Sequence, residues 1–530
     1  MGRWTSVSAL AGAALALSVL LSTAYPLLDP DEGRNAEVMR EMSSSGSLLI
    51  PTLADMPYLD KPPAFFAAGA LAMRLCGATP LGARLPSAIA GAVTLWLLGL
   101  CVVRRLSQRT ALTAIGLLAT APLFAILSTY VIFDMSLTLC VTALWLLISE
   151  ELERGPGVLR RLAMFAAVTA GVLIKGPVML AWALGGSLGA ALLLRDRAPL
   201  RWLAWGWGWM LLLGVAGGWF AWASSRFPEY PHYAFIEESF ERMSTGSFHR
   251  EQPPWFVPLV LVTGALPWSL ATPWTPRLSR WSRVGLGFVL FAVVFFTLSR
   301  SKLATYLLPC FPPLALAAGE AWTAPHGARR GAWRATLLYA ALAGLLAFTA
   351  AGGISPAKAP AFQDIFALAG PLAAALALLA ALVSLGIVAK RAELAMIPVL
   401  AFTPVVLWIA GPALAGYARM QSGEPLGRAI SAVARGGAVR FERCYSAGAQ
   451  FALGRSVDLL SDRGSETTST YQERYRDTLL RRGQWRPRSE VPSPDPATVI
   501  VRPARSAAVV PPGTHTVFQD ARFVAYARGP

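Results

Sequence analysis

Residues 29–63 read DPDEGRNAEVMREMSSSGSLLIPTLADMPYLDKPP, a polar stretch of mixed charge set between two long apolar segments. Five acids, Asp29, Asp31, Glu32, Glu37 and Glu41, fall within its first thirteen positions. Only 15% of the 530 residues are charged, so this concentration calls for a reason. The reading that organises the rest is that the stretch forms the mouth of a membrane-embedded active site.

Outward from it the chain is 55% hydrophobic, with a mean hydropathy of +0.49, more apolar surface than one soluble core could bury. The sequence therefore describes a polytopic α-helical membrane protein. A net charge of +17 could suggest nucleic acid, but the basic excess sits largely in short loops between apolar spans, the positive-inside signature, and no nucleic-acid partner is expected. Five cysteines are scattered without paired spacing, which supports neither a disulfide framework nor a cysteine metal site. Only five of the 47 basic residues are lysine, so each lysine marks a place where a compact point charge could matter.

Residues 4–26 form the first apolar span, read as a retained helix with its N-terminus inside rather than as a signal peptide. The loop 27–81 follows; in it NAEVMREM has the spacing of a helix lying along the membrane surface, and AFFAAGALAMRLC (64–76) reads as a second interfacial or re-entrant helix. Further spans are expected near 83–103, 110–127, 131–149, 161–177, 178–194, 202–223, 256–275, 283–299, 303–322, 334–353, 365–389 and 394–416, about thirteen in all. Counting from an inside N-terminus puts every arginine-rich short loop on the cytoplasmic side. The same count collects 27–81, 128–134, the Lys175-Gly176-Pro177 turn, the loop 224–254 and Ser299–Lys302 on the outer side. The chain thus divides into a transmembrane part, 1–416, and a polar tail, 417–530, expected to be a small periplasmic α/β domain. Its strands are expected in AVRFERCY, SVDLLSD, ATVIVRP and HTVFQDARFVAYAR, its helices in GEPLGRAISAVAR and STYQERYRDTLLRR, with a Pro-rich connection at 487–496.

Ionisable groups at a membrane boundary are costly to desolvate and are functional candidates by default. Asp134, in STYVIFDMSLTL, is a lone acid at the outer start of the fourth helix; its ordinary structural role would be an N-cap or an arginine partner. Asp29, Asp31 and Glu32 make a D-x-D-E just outside the first helix. Basic groups stand on the same side, where the positive-inside rule disfavours them: Lys61 in YLDKPP, Lys175 in LIKGP, Arg300 and Lys302 in LSRSKLATY, and His249 with Arg250 in FHREQPPW. Cations beside carboxylates suit an anionic group such as a phosphate. With neither G-x-x-x-x-G-K-[ST] nor H-E-x-x-H in the chain, a lipid phosphate suits the pattern better than a nucleoside triphosphate.

As a set, DPDEGRNAEVMREMSSSGSLLIPTL…PYLDKPP, FDMSLT, LIKGP, ERMSTGSFHREQPPW, GALPW and SRSKLATYLLPCFPPLAL resemble the bacterial protein O-mannosyltransferase-like glycosyltransferases over residues 1–325, nearest the branch that moves 4-amino-4-deoxy-L-arabinose from undecaprenyl phosphate to lipid A. The resemblance implies a C-type glycosyltransferase fold with thirteen helices and a periplasmic C-terminal domain, in the bacterial inner membrane, N-terminus cytoplasmic. It implies a sugar donor linked to polyprenyl phosphate, a lipid or glycan acceptor, and membrane lipids as surroundings. Carried over at matching positions, Asp31 is the principal catalytic acid and Asp134 a second facing it. Lys61, Arg250 and Tyr306 hold the lipid phosphate with Lys175 and Lys302 close by, and Glu32, Arg34, Tyr58 and Arg300 line the site. Relatives can also hold a metal beside an acid in the position of Asp60, with a histidine from the loop that here spans 224–254. This chain has Glu238-Ser239 where relatives often read Glu-His, leaving Asp60 and His249 as candidates for a divalent metal, zinc or another. A flippase or transporter of a lipid-linked sugar is the alternative, but it should show midplane charges and paired broken helices.

Overall fold

The structure, a computed structural model, describes residues 3–241, 251–275, 277–353, 367–461, 464–485, 499–506, 510 and 512–528. The first nine helices are α1 (Arg3–Ser22), α2 (Asp31–Ser45), α3 (Ala64–Cys76), α4 (Pro80–Arg105), α5 (Gln108–Ala119), α6 (Pro122–Leu127), α7 (Phe133–Arg154), α8 (Val158–Lys175) and α9 (Val178–Leu194). Longer helices follow at Arg280–Leu298, Gly327–Phe348, Ala369–Val388 and Met396–Gln421. Among the described residues, seven helices are long and apolar enough to cross a membrane, or eight if the pair Ala198–Ala204 and Gly206–Arg226, bent by 66°, counts as one span. The chain is a multi-pass helical membrane protein.

Several expected spans are interrupted for a visible reason. The one at 110–127 divides into α5 and α6 just before Pro122, and that at 303–322 opens with a tight helical stretch, Ala304–Cys310, holding Pro309. Proline removes an amide donor and crowds the preceding turn, so an apolar run that contains it need not be one straight helix. The α8–α9 hairpin turns at Lys175-Gly176-Pro177, where Gly176 takes φ +81 and Pro177 opens the next helix.

α2 differs from the expected surface helix. Ala36, Val38, Met39 and Met42 pack against Phe65, Phe66, Ala70 and Met73 of α3, as the spacing predicts. Its polar side is covered too, since Ala447 and Phe451 join the same core and Glu37, Arg40 and Glu41 are buried. Glu37 and Arg40 neutralise each other through two hydrogen bonds of 2.6 and 2.7 Å. At the foot of α2, Glu32 and Arg84 form an ion pair at 2.7 Å, both side chains fully enclosed.

Behind α2 lies a five-stranded sheet. β1 (Thr52–Leu53) and β2 (Met56–Pro57) form a small hairpin in the first loop, and the sheet itself uses β3 (Val439–Glu442), β4 (Asp458–Leu460), β5 (Val499–Pro503), β6 (Thr514–Gln519) and β7 (Phe523–Arg528) in the order β4-β3-β5-β7-β6. β3 runs parallel to β4 and β5, and β7 antiparallel to β5 and β6. Helix Glu424–Ala434 covers it with Leu426 and Ile430. The four strand segments expected in the tail are all strands, the last as the β6–β7 hairpin; the Pro-rich connection at 487–496 lies outside the described residues.

The sheet unit is seated on the first loop by Asp29. Its carboxylate accepts from Ser446 Oγ at 2.6 Å and from the Gly448 N–H at 3.0 Å. Gly33 makes the seat possible, because a Cβ there would stand 2.0 Å from Asp29 Oδ1 and 2.7 Å from Gly448 N.

Candidate active site

A cavity of about 490 Å³ opens among the segments that the parity count puts on the outer side. That is a volume suited to a small-molecule headgroup. Asp31, Arg34, Tyr58, Asp60 and Lys61 come from the first loop, Asp134 and Lys175 from the starts and ends of α7 and α8, Glu238 from the helical turn His232–Glu241, and Tyr306 from Ala304–Cys310. Trp182, Phe220, Phe295 and Phe296 form an apolar wall.

Each charge has a partner and a reason for its position. Asp134 sits in the first turn of α7 and Lys175 in the last turn of α8, so both helix dipoles favour the charges they carry. The two form an ion pair, Asp134 buried to 3%, and the Lys175 ammonium also lies 4.6 Å from the centre of the Tyr306 ring. Lys61 pairs with Glu238 and donates to the Asp60 carbonyl at 2.9 Å. Asp31, in the first turn of α2, is the exposed acid; it pairs with Arg34 at 2.6 Å. Burial works against the charge of Arg34, and Tyr58, Asp31 and Asp60 around it prevail, holding the guanidinium above its ordinary value. Burial, followed by Asp60 and Glu238, pushes the Tyr233 hydroxyl well up, so it acts as a neutral donor.

Three expected residues are placed elsewhere. Glu32 is turned away from the cavity, its oxygens taken by Arg84, by the Val131 N–H at 2.9 Å and by the Leu28 N–H at 3.1 Å. Lys302 is buried and donates to the Gln252 carbonyl at 2.9 Å, and Arg300 is exposed and outside the lining. Arg250 and His249 lie outside the described residues.

The tail supplies residues that sequence reasoning did not find. Thr468 and Thr470 line the cavity, and Arg34 donates to Thr468 Oγ1 at 2.7 Å. Asp60 Oδ1 accepts from the Tyr233 hydroxyl at 2.5 Å and from the Tyr471 N–H at 2.8 Å. Among the described residues no three His, Cys, Asp or Glu side chains are grouped to hold a metal, and Oδ1 of Asp60 already accepts two hydrogen bonds. Glu238 was visible only as a departure from a pattern; its pairing with Lys61, 177 positions away, left no local trace.

A multi-pass membrane protein whose cavity joins lysines and carboxylates to an aromatic wall is the class that the fold and site define. Within that class, residues 60–219 match the family model described as dolichyl-phosphate-mannose-protein mannosyltransferase. The undecaprenyl phosphate-alpha-4-amino-4-deoxy-L-arabinose arabinosyl transferase of Shewanella sediminis is 29% identical over 305 residues, 55% of each chain. The protein of the same name from Pectobacterium carotovorum is 30% identical over 55% of this chain and 54% of its own, and that of Aeromonas salmonicida 29% over 73% of both. The match spans about half the length of the first two relatives. Among solved structures, ArnT from Cupriavidus metallidurans bound to undecaprenyl phosphate has a TM-score of 0.81 at 21% identity, covering 98% of this chain and 99% of its own. The same protein in the apo state gives 0.78 at 22% identity, with both chains covered throughout. The fold is therefore that of ArnT.

Proposed function

We propose that the protein is an integral membrane glycosyltransferase that moves a sugar, an aminoarabinose by likeness to its relatives, from undecaprenyl phosphate to a cell-envelope acceptor such as lipid A. The observation that carries this reading is the meeting of Lys61, Lys175, Asp31 and Asp134 in one cavity with an aromatic wall. The wall suits the first units of a polyprenyl chain, and the lysines suit its phosphate. In the reaction an acceptor oxygen attacks the anomeric carbon, and the bond from that carbon to the phosphate oxygen breaks with its electron pair. The charge that grows on the departing phosphate is met by Lys61, Lys175 and, by resemblance, Arg250. A hydroxyl acceptor gives its proton to Asp31; a phosphate acceptor has none to lose, and Asp31 with Arg34 orients it. No step runs through a metal.

The topology belongs to the same proposal: thirteen crossings of the bacterial inner membrane, N-terminus cytoplasmic, cavity on the periplasmic side, and residues 417–530 as a periplasmic domain. It is supported by the clustering of the arginine-rich turns away from the cavity, where Arg105 meets Glu150 at 3.2 Å and Arg280 meets Asp196 at 3.2 Å. The test is transfer of sugar from purified lipid-linked donor to acceptor in proteoliposomes, read as mass gain on the acceptor. Asp31→Asn should lower the rate by about a hundredfold or more. Undiminished transfer would remove Asp31 from the mechanism, and donor movement between leaflets without transfer would mean a flippase.

A further inference from the structure

We infer that Asp60 is a hydrogen-bonded clamp rather than a metal ligand: its Oδ1, shared by the Tyr233 hydroxyl and the Tyr471 N–H, ties three distant segments together and positions Lys61. The functional half of the inference rests on the proposed role of Lys61 in holding the donor phosphate.

Both donors are themselves fixed. Tyr233 and Tyr471 are fully buried, with ring centres 5.3 Å apart in an edge-on contact. The Tyr471 hydroxyl donates to Glu229 at 2.6 Å, and the same carboxylate receives two hydrogen bonds of 3.0 Å from Arg482. One side chain of the first loop is thereby joined to the helical turn at 232–241 and to the tail helix at 470–474. The clamp reaches Lys61 through the backbone, since its ammonium donates to the carbonyl of Asp60 at 2.9 Å. Wherever Asp60 is held, the platform under that ammonium is held.

The donor set argues against a metal on the same oxygen. A zinc ion would sit about 2.0–2.2 Å from a carboxylate oxygen, in the directions that two hydrogens occupy here. The neighbouring acid does not help, since Glu238 is committed to Lys61. An ammonium beside the site would repel a cation further. Asparagine at 60 keeps an acceptor oxygen for both donors while losing the charge a metal needs, so it separates the two roles.

The experiment uses the full-length protein in detergent, with metal content by elemental analysis, binding of undecaprenyl phosphate by native mass spectrometry, and melting temperature. Metal well below one per chain is expected, with binding unchanged after chelator treatment. Asp60→Asn should bind within about twofold of wild type, while Tyr233→Phe, which loses one hydrogen bond to a charged group, should bind about tenfold more weakly. One metal per chain that disappears together with binding in Asp60→Asn would overturn the inference, as would unchanged binding in Tyr233→Phe. If the wild type fails to bind undecaprenyl phosphate, the role of Lys61 falls and melting decides the clamp alone. Asp60→Asn near wild type with Asp60→Ala well below it supports the clamp; equal loss in both overturns it.

Discussion

At the scale of single residues, the chain separates charges that line the cavity from charges locked in its core. Glu32 and Asp31 are neighbours in the D-x-D-E run, yet one is exposed at the cavity and the other is locked to Arg84. Arg84 also donates to the carbonyls of Ser22, Tyr25 and Pro26 at 2.8–3.0 Å, so it pins the end of α1 to the start of α2. Arg84→Ala should lower stability by about 3–5 kcal/mol, because it leaves a buried carboxylate unpaired. Adding Glu32→Leu should recover only part of this in unfolding experiments, since the Leu28 and Val131 N–H groups would then lack an acceptor. The Asp134–Lys175 pair should behave differently. Lys175→Ala alone should melt at a lower temperature than Lys175→Ala with Asp134→Asn, the second change removing the stranded charge. Asp134 was legible in the sequence because charge is rare where it stands, Lys61 and Lys175 because they are cations on the outer side, and Asp31 through the resemblance of its motif. Glu238, Tyr233 and Thr468 were not, since a tyrosine or threonine in a polar loop is ordinary until its partner hundreds of positions away is known.

At the scale of elements, periodicity gave the helix α2 and the strands of the tail, and it misjudged what covers them. The alternation of Val439 and Phe441 inward with Arg440 and Glu442 outward is visible in β3, and so is the apolar stripe of α2. That a second layer lies over α2 could not be read, because the covering residues, Ala447 and Phe451, look like any small amphipathic turn. The spans broken at Pro122 and Pro309 are a milder case: the apolar run was visible and so was the proline, but whether a neighbour re-satisfies the freed carbonyl is a tertiary matter. The seat of the sheet unit gives a sharp prediction at this scale. In Gly33→Ala the added methyl must push Asp29 or Gly448 aside, so limited proteolysis should release the C-terminal piece faster than in wild type while α1–α9 stay folded.

At the scale of the whole molecule, the tail is bound to the loop 224–241 by charge as well as by Asp60. Arg482 meets Glu229 at 3.0 Å and Arg474 meets Glu237 at 2.6 Å; Glu237 is buried and the other three are at least partly open to solvent. Reversing one member, as in Arg482→Glu, should cost about 1 kcal/mol of melting stability, and adding Glu229→Arg should restore only part of it, since the Tyr471 hydroxyl then loses its acceptor. Raised salt should shrink both effects. Fold class, the clustering of polar loops and the α/β tail were all present in hydropathy and charge placement. The closing of the tail over the cavity was not, because it depends on contacts between residues more than 200 positions apart. That closure bears on biosynthesis. A ribosome that has made the whole of 1–416 has made Lys61, Lys175, Asp31 and Asp134, but Thr468, Thr470 and the Tyr471 amide do not yet exist. An unfinished chain already inserted in the bilayer would therefore hold a cavity open on one side until Thr468, Thr470 and the Tyr471 amide reach the first loop.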